Sequence, residues 1–365
     1  MPKEQQMAAR QMALARAEKQ SIKCVAWDLD NTLWDGILLE DDDVSLRDGI
    51  VETIEELDRR GILNSIASRN DYDVAMEKLA TFGLKGHFLY PEINWNTKSS
   101  SLDAIAKSLN MALDTFAFVD DQPFEREEVA FTHPEVMCID ASDIGKVLDM
   151  PRMMPRFITP ESRLRRQMYQ SDIERNRVES EFEGPNEEFL ATLGMVFKIK
   201  PAAESDLQRA EELTMRTHQL NTTGYTYSYD ELNELRRSGG HLLLVASLDD
   251  KYGTYGTIGL ALVELGEPFW MVKLLLMSCR VMSRGVGTIM MSYIMSRARE
   301  AGVRLRAEFI PNGRNRMMYI TYRFGGFEEV EKRGDLIVLE NDLSRIQSLP
   351  EYVEVQIGAD FTRNR

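Results

Sequence analysis

The chain is 365 residues long, 43% hydrophobic, and carries a formal net charge of −15. The length exceeds one ordinary domain and points to two, while the negative charge argues against general nucleic-acid binding, which needs a basic footprint. No run of about eighteen apolar residues exists, so no membrane-spanning helix is expected. Residues 1–20 lack the apolar stretch of a secretory signal and read as an amphipathic helix or linker. Residues 22–29 read as a buried strand running into polar residues. Helical spacing over 50–60 stops at Gly61, a second strand covers 62–68, and a helix over 71–82 closes at Gly83. A third short strand at 87–90, a helix over 98–109 and a fourth strand at 115–121 follow. Strands alternating with helices over residues 21–150 predict an α/β domain with a Rossmann-like, doubly wound parallel sheet, whose site lies at the carboxyl ends of the strands.

The pattern breaks near Met150, where MPRMMP is punctuated by proline, and a highly charged helix over 160–180 makes residues 151–194 a connector. A new pattern begins at residue 195. It predicts strands at 195–202, 241–250, 254–265, 269–279 and 303–310, and helices at 204–220, 287–302 and 315–327. That is an α+β domain over 195–345 with antiparallel strands first, followed by a tail over 346–365. The three cysteines, Cys24, Cys138 and Cys279, are odd in number, far apart and without a CxxC pair. They point to the reducing cytoplasm and against a disulfide framework or structural zinc.

The first constellation sits in the N-terminal third. Asp28 and Asp30 leave the first strand on the same side, so one can attack phosphorus while the other handles the proton of the leaving group. A cation must offset charge on the phosphoryl oxygens. Mg²⁺ suits the oxygen ligands on offer: Asp28, the main-chain carbonyl of Asp30, and a later carboxylate, Asp120 or Asp121, in FVDDQPFERE. Ser68 ends the second strand, where a hydroxyl can hold a phosphoryl oxygen, and Lys98 opens a helix, where ammonium and helix N-terminus both favour an anion. Asp28-Leu29-Asp30-Asn31-Thr32, then Ser68, Lys98 and an acidic pair, each after its own strand, resemble the haloacid dehalogenase superfamily. The resemblance implies an aspartyl-phosphate on Asp28, acid/base work by Asp30, phosphate binding by Thr32, Ser68 and Lys98, and a short flap at WDGILLEDD in place of a large cap.

Residues 195–330 resemble the GCN5-related N-acetyltransferase fold, through Arg284-Gly285-Val286-Gly287-Thr288-Ile289 after the strand FWMVKLLLMSC and through Asn315 with YRFGGF. In that family the glycine loop opens a helix whose amides hold a pyrophosphate. Here Ile289 replaces a small residue, and the strand ends in Ser278-Cys279. Both departures point away from direct acetyl-CoA chemistry and leave a pantetheine-binding cleft as the expectation. Cys279, beside Arg280 and a helix N-terminus, reads either as a buried structural thiol or as a nucleophile. His218 reads either as a helix-end cap or as the base that serves Cys279.

Together, WDLDNTLWDG (27–36), FVDDQPFERE (118–127), RLRRQMYQSDIERNR (163–177), RTHQLNTTG (216–224) and SCRVMSRGVG (278–287) resemble the FkbH-like glyceryl transferases/phosphatases of polyketide assembly lines. The resemblance implies D-1,3-bisphosphoglycerate as donor, capture of its 3-carbon unit, removal of the remaining phosphate, and delivery to the phosphopantetheine thiol of an acyl carrier protein. The delivered unit is glyceryl or of lactyl type. The same resemblance assigns Asn221, Arg284, Gly285 and Gly287 to pantetheine or acyl binding. Arg163, Arg165, Arg166, Arg175 and Arg177 form either a basic dock for an acidic carrier protein or a solvated charged face. Two alternatives stay open: a small-molecule phosphatase with an accessory second domain, and a docking module without turnover.

Overall fold

The computed structural model describes residues 21–41, 43–217 and 219–358; the helix or linker expected over residues 1–20, and His218, lie outside them. The chain divides into two compact units at Gln170/Ser171. That division falls inside the charged helix, which runs from Arg165 to Glu181 after a short helical turn at Pro160–Arg163.

In the first unit, β1 (Cys24–Trp27) leads to a two-residue pair, β2 (Trp34–Asp35) and β3 (Ser45–Leu46), then to β4 (Leu63–Ser68), β5 (Glu92–Ile93), β6 (Phe116–Asp120) and β7 (Met137–Asp140). The main sheet has the order β5-β4-β1-β6-β7 with every neighbouring pair parallel. This is the doubly wound sheet expected from the alternation of strands and helices. β1 and β4 are buried at every position, because helices cover both faces of a parallel sheet and each residue of a central strand meets the core. The helix Ile50–Arg59 buries Ile50, Ile54 and Leu57, one apolar stripe at helical spacing. The strand expected at 87–90 is not formed. Its segment is a short 3-10 turn with one bridge, Asn64 to Phe88, and the sheet edge is instead Glu92–Ile93.

The second unit continues with β8 (Met195–Pro201), β9 (His241–Asp250), β10 (Gly253–Glu264), β11 (Phe269–Met277), β12 (Arg304–Phe309), β13 (Glu328–Arg333), β14 (Leu336–Asn341) and β15 (Val353–Ile357). These form one eight-stranded sheet in the order β13-β14-β12-β11-β10-β9-β8-β15. β11/β12 and β8/β15 are parallel and the remaining pairs antiparallel, so the unit is α+β as expected. The tail expected from residue 346 is not a tail throughout: Val353–Ile357 pairs with Met195–Ile199 and closes one edge. One face packs against the helix Ile289–Glu300 through Met290, Ile294 and Ala298. The other packs against the helix Leu207–Arg216 through Leu207, Ala210 and Leu213. β11 and β12 pair only from Phe269 to Val272, after which the two strands part.

Candidate active site

The turn after β1 builds the first site. The amides of Thr32, Leu33 and Trp34 all point to the carbonyl of Leu29, which curls the chain into a single turn. Asn31 takes φ +52° and Gly36 φ +103°. A Cβ on Gly36 would meet Asp41 Oδ2 at 2.8 Å, so this turn requires glycine. The amide of Asp28 bonds to Val119 O at 2.9 Å, which extends the β1/β6 pairing by one residue and brings Asp28 beside the end of β6. There the carboxylates of Asp28, Asp120 and Asp121 each offer an oxygen, all within 4.8 Å of one another.

Lys98, at the first position of the helix Lys98–Leu109, is 3% exposed. Its ammonium donates to Asp28 Oδ1, donates to Ala67 O at 2.9 Å, and stands 3.2 Å from Asp120 Oδ2. Burial works against that ammonium, but the Asp28 and Asp120 carboxylates outweigh it and its pKa is raised. Burial, then the charge of Asp28, pushes the Asp120 carboxyl up to about 6 and raises Asp121 as well. Asp120 Oδ2 is buried with the Lys98 ammonium 3.2 Å away. Three hard carboxylate oxygens together fit a divalent cation such as Mg²⁺.

The Asp30 side chain lies outside the cluster, and only its main-chain carbonyl was expected as a ligand. Its Oδ1 accepts from Trp34 Nε1 (2.8 Å) and Leu38 N (3.1 Å), and its Oδ2 accepts from Asn70 Nδ2 (3.0 Å). Burial raises the Asp30 pKa above the ordinary carboxylate value, against those donors. Thr32 is reassigned. Its hydroxyl accepts from Asp121 N at 3.0 Å and faces Asp121 Oδ1 at 3.5 Å, so it braces the acidic pair rather than standing open to a phosphate. Ser68 is buried at the end of β4, next to Ala67, whose carbonyl holds Lys98. No spacing rule marks Trp34 or Asn70; only their contacts with Asp30 do.

In the second unit, the residues Leu220–Thr222 lie in the gap that opens between β11 and β12. Asn221 bridges Leu276; Thr222 N donates to Leu275 O at 3.1 Å, Leu275 N to Thr222 Oγ1 at 3.0 Å, and Met277 N to Leu220 O at 2.9 Å. On the β12 side, Ile310 N donates to Thr222 O at 3.0 Å. Asn315 Nδ2 ties the segment down through Asn221 O (3.0 Å), Ile310 O (2.9 Å) and Thr222 O (3.4 Å). The edge of β11 beyond Val272 is therefore paired with this chain's own backbone. Asn221 is fully buried, with its Oδ1 accepting from Thr223 N and Gly224 N. That corrects its assignment to an open ligand cleft.

Arg284 requires a similar correction. It is 2% exposed and bonds Glu179 at 2.8 Å and Asn176 at 3.0 Å, so its charge is neutralised inside the unit. Gly285 takes φ +67°, and a Cβ there would lie 2.1 Å from Tyr352 Oη, which makes it a turn glycine under a tyrosine. Gly287 is exposed and open. Cys279 is half-buried and begins the short 3-10 turn Cys279–Arg284, whereas the long helix starts only at Ile289. Arg280 donates to Tyr255 O at 2.6 Å. The connector arginines are also committed. Arg165 is buried and donates to Gly61 O, Arg166 pairs with Asp58 at 3.0 Å, and Arg175 is fully buried against Asp250 and Asp172. Arg177 is paired with Glu174 and Glu181, leaving Arg163 exposed.

No family model matches the chain, and no curated protein does. Among solved structures it is similar to the N-terminal part of protein BF1531 from Bacteroides fragilis, which contains a phosphatase domain and is complexed with Mg. The identity is 26% over 38% of this chain and 42% of that one, with a TM-score of 0.30. It is also similar to the ribosomal-protein-S18-alanine N-acetyltransferase of Escherichia coli (15% identity, 40% of this chain, 92% of that one, TM-score 0.32). A third is the PaiA N-acetyltransferase of Thermoplasma acidophilum in complex with coenzyme A (14% identity, 40% and 97%, TM-score 0.30). No helix among the described residues is long and apolar enough to cross a membrane.

Proposed function

We propose that the first unit is a Mg²⁺-dependent phosphatase in which Asp28 is the nucleophile and Asp30 the acid/base. The carrying observation is the convergence of Asp28, Asp120 and Asp121 within 4.8 Å beside the buried ammonium of Lys98. Asp28, Asp120 and Asp121 would hold the cation, which supplies positive charge to the phosphoryl oxygens when bound. Lys98 holds the Asp28 carboxylate in place, and it presents a second positive charge at the same strand ends. Asp30, held apart from the cluster with a raised pKa, is suited to carry a proton.

The fuller reading is a bifunctional glyceryl transferase/phosphatase. The acyl phosphate of D-1,3-bisphosphoglycerate is a mixed anhydride that the Cys279 thiolate attacks, forming a thioester and releasing phosphate. The C3 monoester, a much harder bond, is cleaved at Asp28, and the glyceryl or lactyl-type unit passes to the phosphopantetheine thiol of an acyl carrier protein. One observation favours a second reading, a small-molecule phosphatase whose second unit is accessory: the gap between β11 and β12 is filled by Leu220–Thr222. One experiment separates them. The full chain is incubated with Mg²⁺, D-1,3-bisphosphoglycerate and a carrier protein, and all species are weighed as intact masses. The bifunctional reading expects a glyceryl carrier with the wild type, a phosphoglyceryl adduct with Asp28→Asn, and no acyl adduct with Cys279→Ala. Phosphate release without any acyl adduct on either protein selects the accessory reading. Undiminished monoester cleavage by Asp28→Asn removes both.

A further inference from the structure

The two edges of the eight-stranded sheet are built differently. β13 forms one of them, and five of the six side chains in its sequence EEVEKR are charged. Charge of that density on an outer strand deters pairing with another chain. β15 forms the other edge, with the sequence Val353-Glu354-Val355-Gln356-Ile357 and a single charged side chain. Among the described residues, β8 is its one strand neighbour. Gly358 N donates to Ile199 O at 2.8 Å. Residues that bond a neighbouring strand alternate along a parallel ladder, so residues 354, 356 and 358 direct their backbone groups at β8. The N–H and C=O of Val355 and Ile357 therefore point away from the sheet. Side chains alternate as well, and Val353, Val355 and Ile357 stand on the face that carries the helix Ile289–Glu300. A groove of about 280 Å³ runs between that helix and β15, lined in part by Tyr293, Leu349, Val355 and Ile357. Leu349 is 43% and Ile357 54% exposed, so this edge is both unguarded and apolar.

We infer that β15 is a self-association edge, through which two copies of the chain join antiparallel, centred on Val355, into one continuous sheet. The inference is independent of the phosphatase reading. The occupant is a second copy because the strand matches itself in this register. Val355 exchanges both backbone hydrogen bonds with the partner's Val355, and Ile357 N–H meets the carbonyl of the partner's Val353. Val353 stands opposite the partner's Ile357, which keeps the apolar row on one face. Glu354 stands opposite the partner's Gln356, so no like charges face each other. Moving the centre to Glu354 would set two carboxylates against each other. Moving it to Gln356 would carry Val353 past the end of the partner's strand. Each copy carries a net charge of −15, so association works against a general repulsion that salt screens.

Sedimentation equilibrium of the full chain, at several protein concentrations and at low and high salt, tests this with the wild type, Val355→Pro, Gln356→Lys and Gln356→Glu. Proline removes the outward N–H of Val355 and leaves the ladder to β8 intact, since residues 354, 356 and 358 make those bonds. The wild type is expected to dimerise, more tightly at high salt, and Val355→Pro to stay monomeric with an unchanged circular dichroism spectrum. Gln356→Lys sets two symmetry-related ammonium groups opposite the Glu354 carboxylates, whereas Gln356→Glu sets two pairs of like charges opposite each other. The first is expected to tighten the dimer and the second to weaken it, each by roughly two- to thirtyfold for two cross-strand pairs. The two Gln356 variants carry the test if the proline variant does not fold. A wild type that is monomeric at every concentration overturns the inference. So does a dimer that survives Val355→Pro, or one that both Gln356 substitutions shift in the same direction. A chain that dimerises only after residues 359–365 are removed would assign this edge to its own C-terminal segment, which also overturns it.

Discussion

Glu56 shows how far one exposed ion pair can be followed. It accepts from Arg59 at 2.6 and 2.8 Å and from Arg60 at 2.7 Å. Those bonds, the Arg59 one foremost, hold its carboxyl down at about 2, below the ordinary value of 4.5. A depressed folded-state pKa adds stability above the unfolded value and loses it as pH falls through the folded one. Thermal melts of wild type and Glu56→Gln should therefore differ by a constant amount above about pH 4.5 and converge toward pH 2. A gap that widens on acidification would contradict the assignment. The sequence displayed this pair, since Glu56 and Arg60 are one helical turn apart. It did not display that Arg284 faces Glu179, or that Thr32 faces Asp121, because those partners lie 105 and 89 residues away.

The segment Leu220–Thr222 behaves as an extra strand without being long enough to count as one. Its stability depends on Asn315, 1% exposed, whose single amide nitrogen serves three carbonyls. Asn315→Ala leaves those acceptors short of a donor, at a cost of about 1–3 kcal/mol. Urea unfolding should record that loss. Hydrogen exchange should show faster turnover at the amides of Leu275 and Met277, which donate to Thr222 Oγ1 and Leu220 O. Unchanged protection at those two amides would show that the segment is held by something other than Asn315. The helical spacing that runs through 204–220 concealed this element: the helix ends at Arg216, and the chain beyond it is drawn into the gap by strand edges more than 50 residues downstream. Val353–Ile357 was concealed for a similar reason. Its alternation is weak, and it becomes a strand because the edge of β8 is vacant beside it.

For the molecule as a whole, the net charge of −15 requires any acidic partner to find a local basic surface. The charged helix supplies less of one than its composition suggests, because Arg165, Arg166 and Arg175 are spent inside their own units and Arg177 is offset on the surface by Glu174 and Glu181. Charge reversal at Arg166 sets a glutamate against Asp58, in place of a 3.0 Å ion pair, and strips Gly86 O of a 2.8 Å donor. The expected outcome is a lowered Tm, together with a phosphatase loss that tracks unfolding. A variant of unchanged Tm that loads carrier protein poorly would restore this helix as a dock.

The order of the candidate site residues was legible because it is written locally: the apolar runs of β1, β4 and β6 lead into Asp28, Ser68 and Asp120, and Lys98 opens a helix. The α/β then α+β succession is local in the same sense, since periodicity and glycine stops set each element. The three donors on Asp30, the filled gap between β11 and β12 and the inward turn of Arg284 were not legible. Each rests on which distant backbone or carboxylate a side chain meets, and burial makes those meetings obligatory: a polar group removed from water must find whatever partner the packed chain brings within about 3 Å.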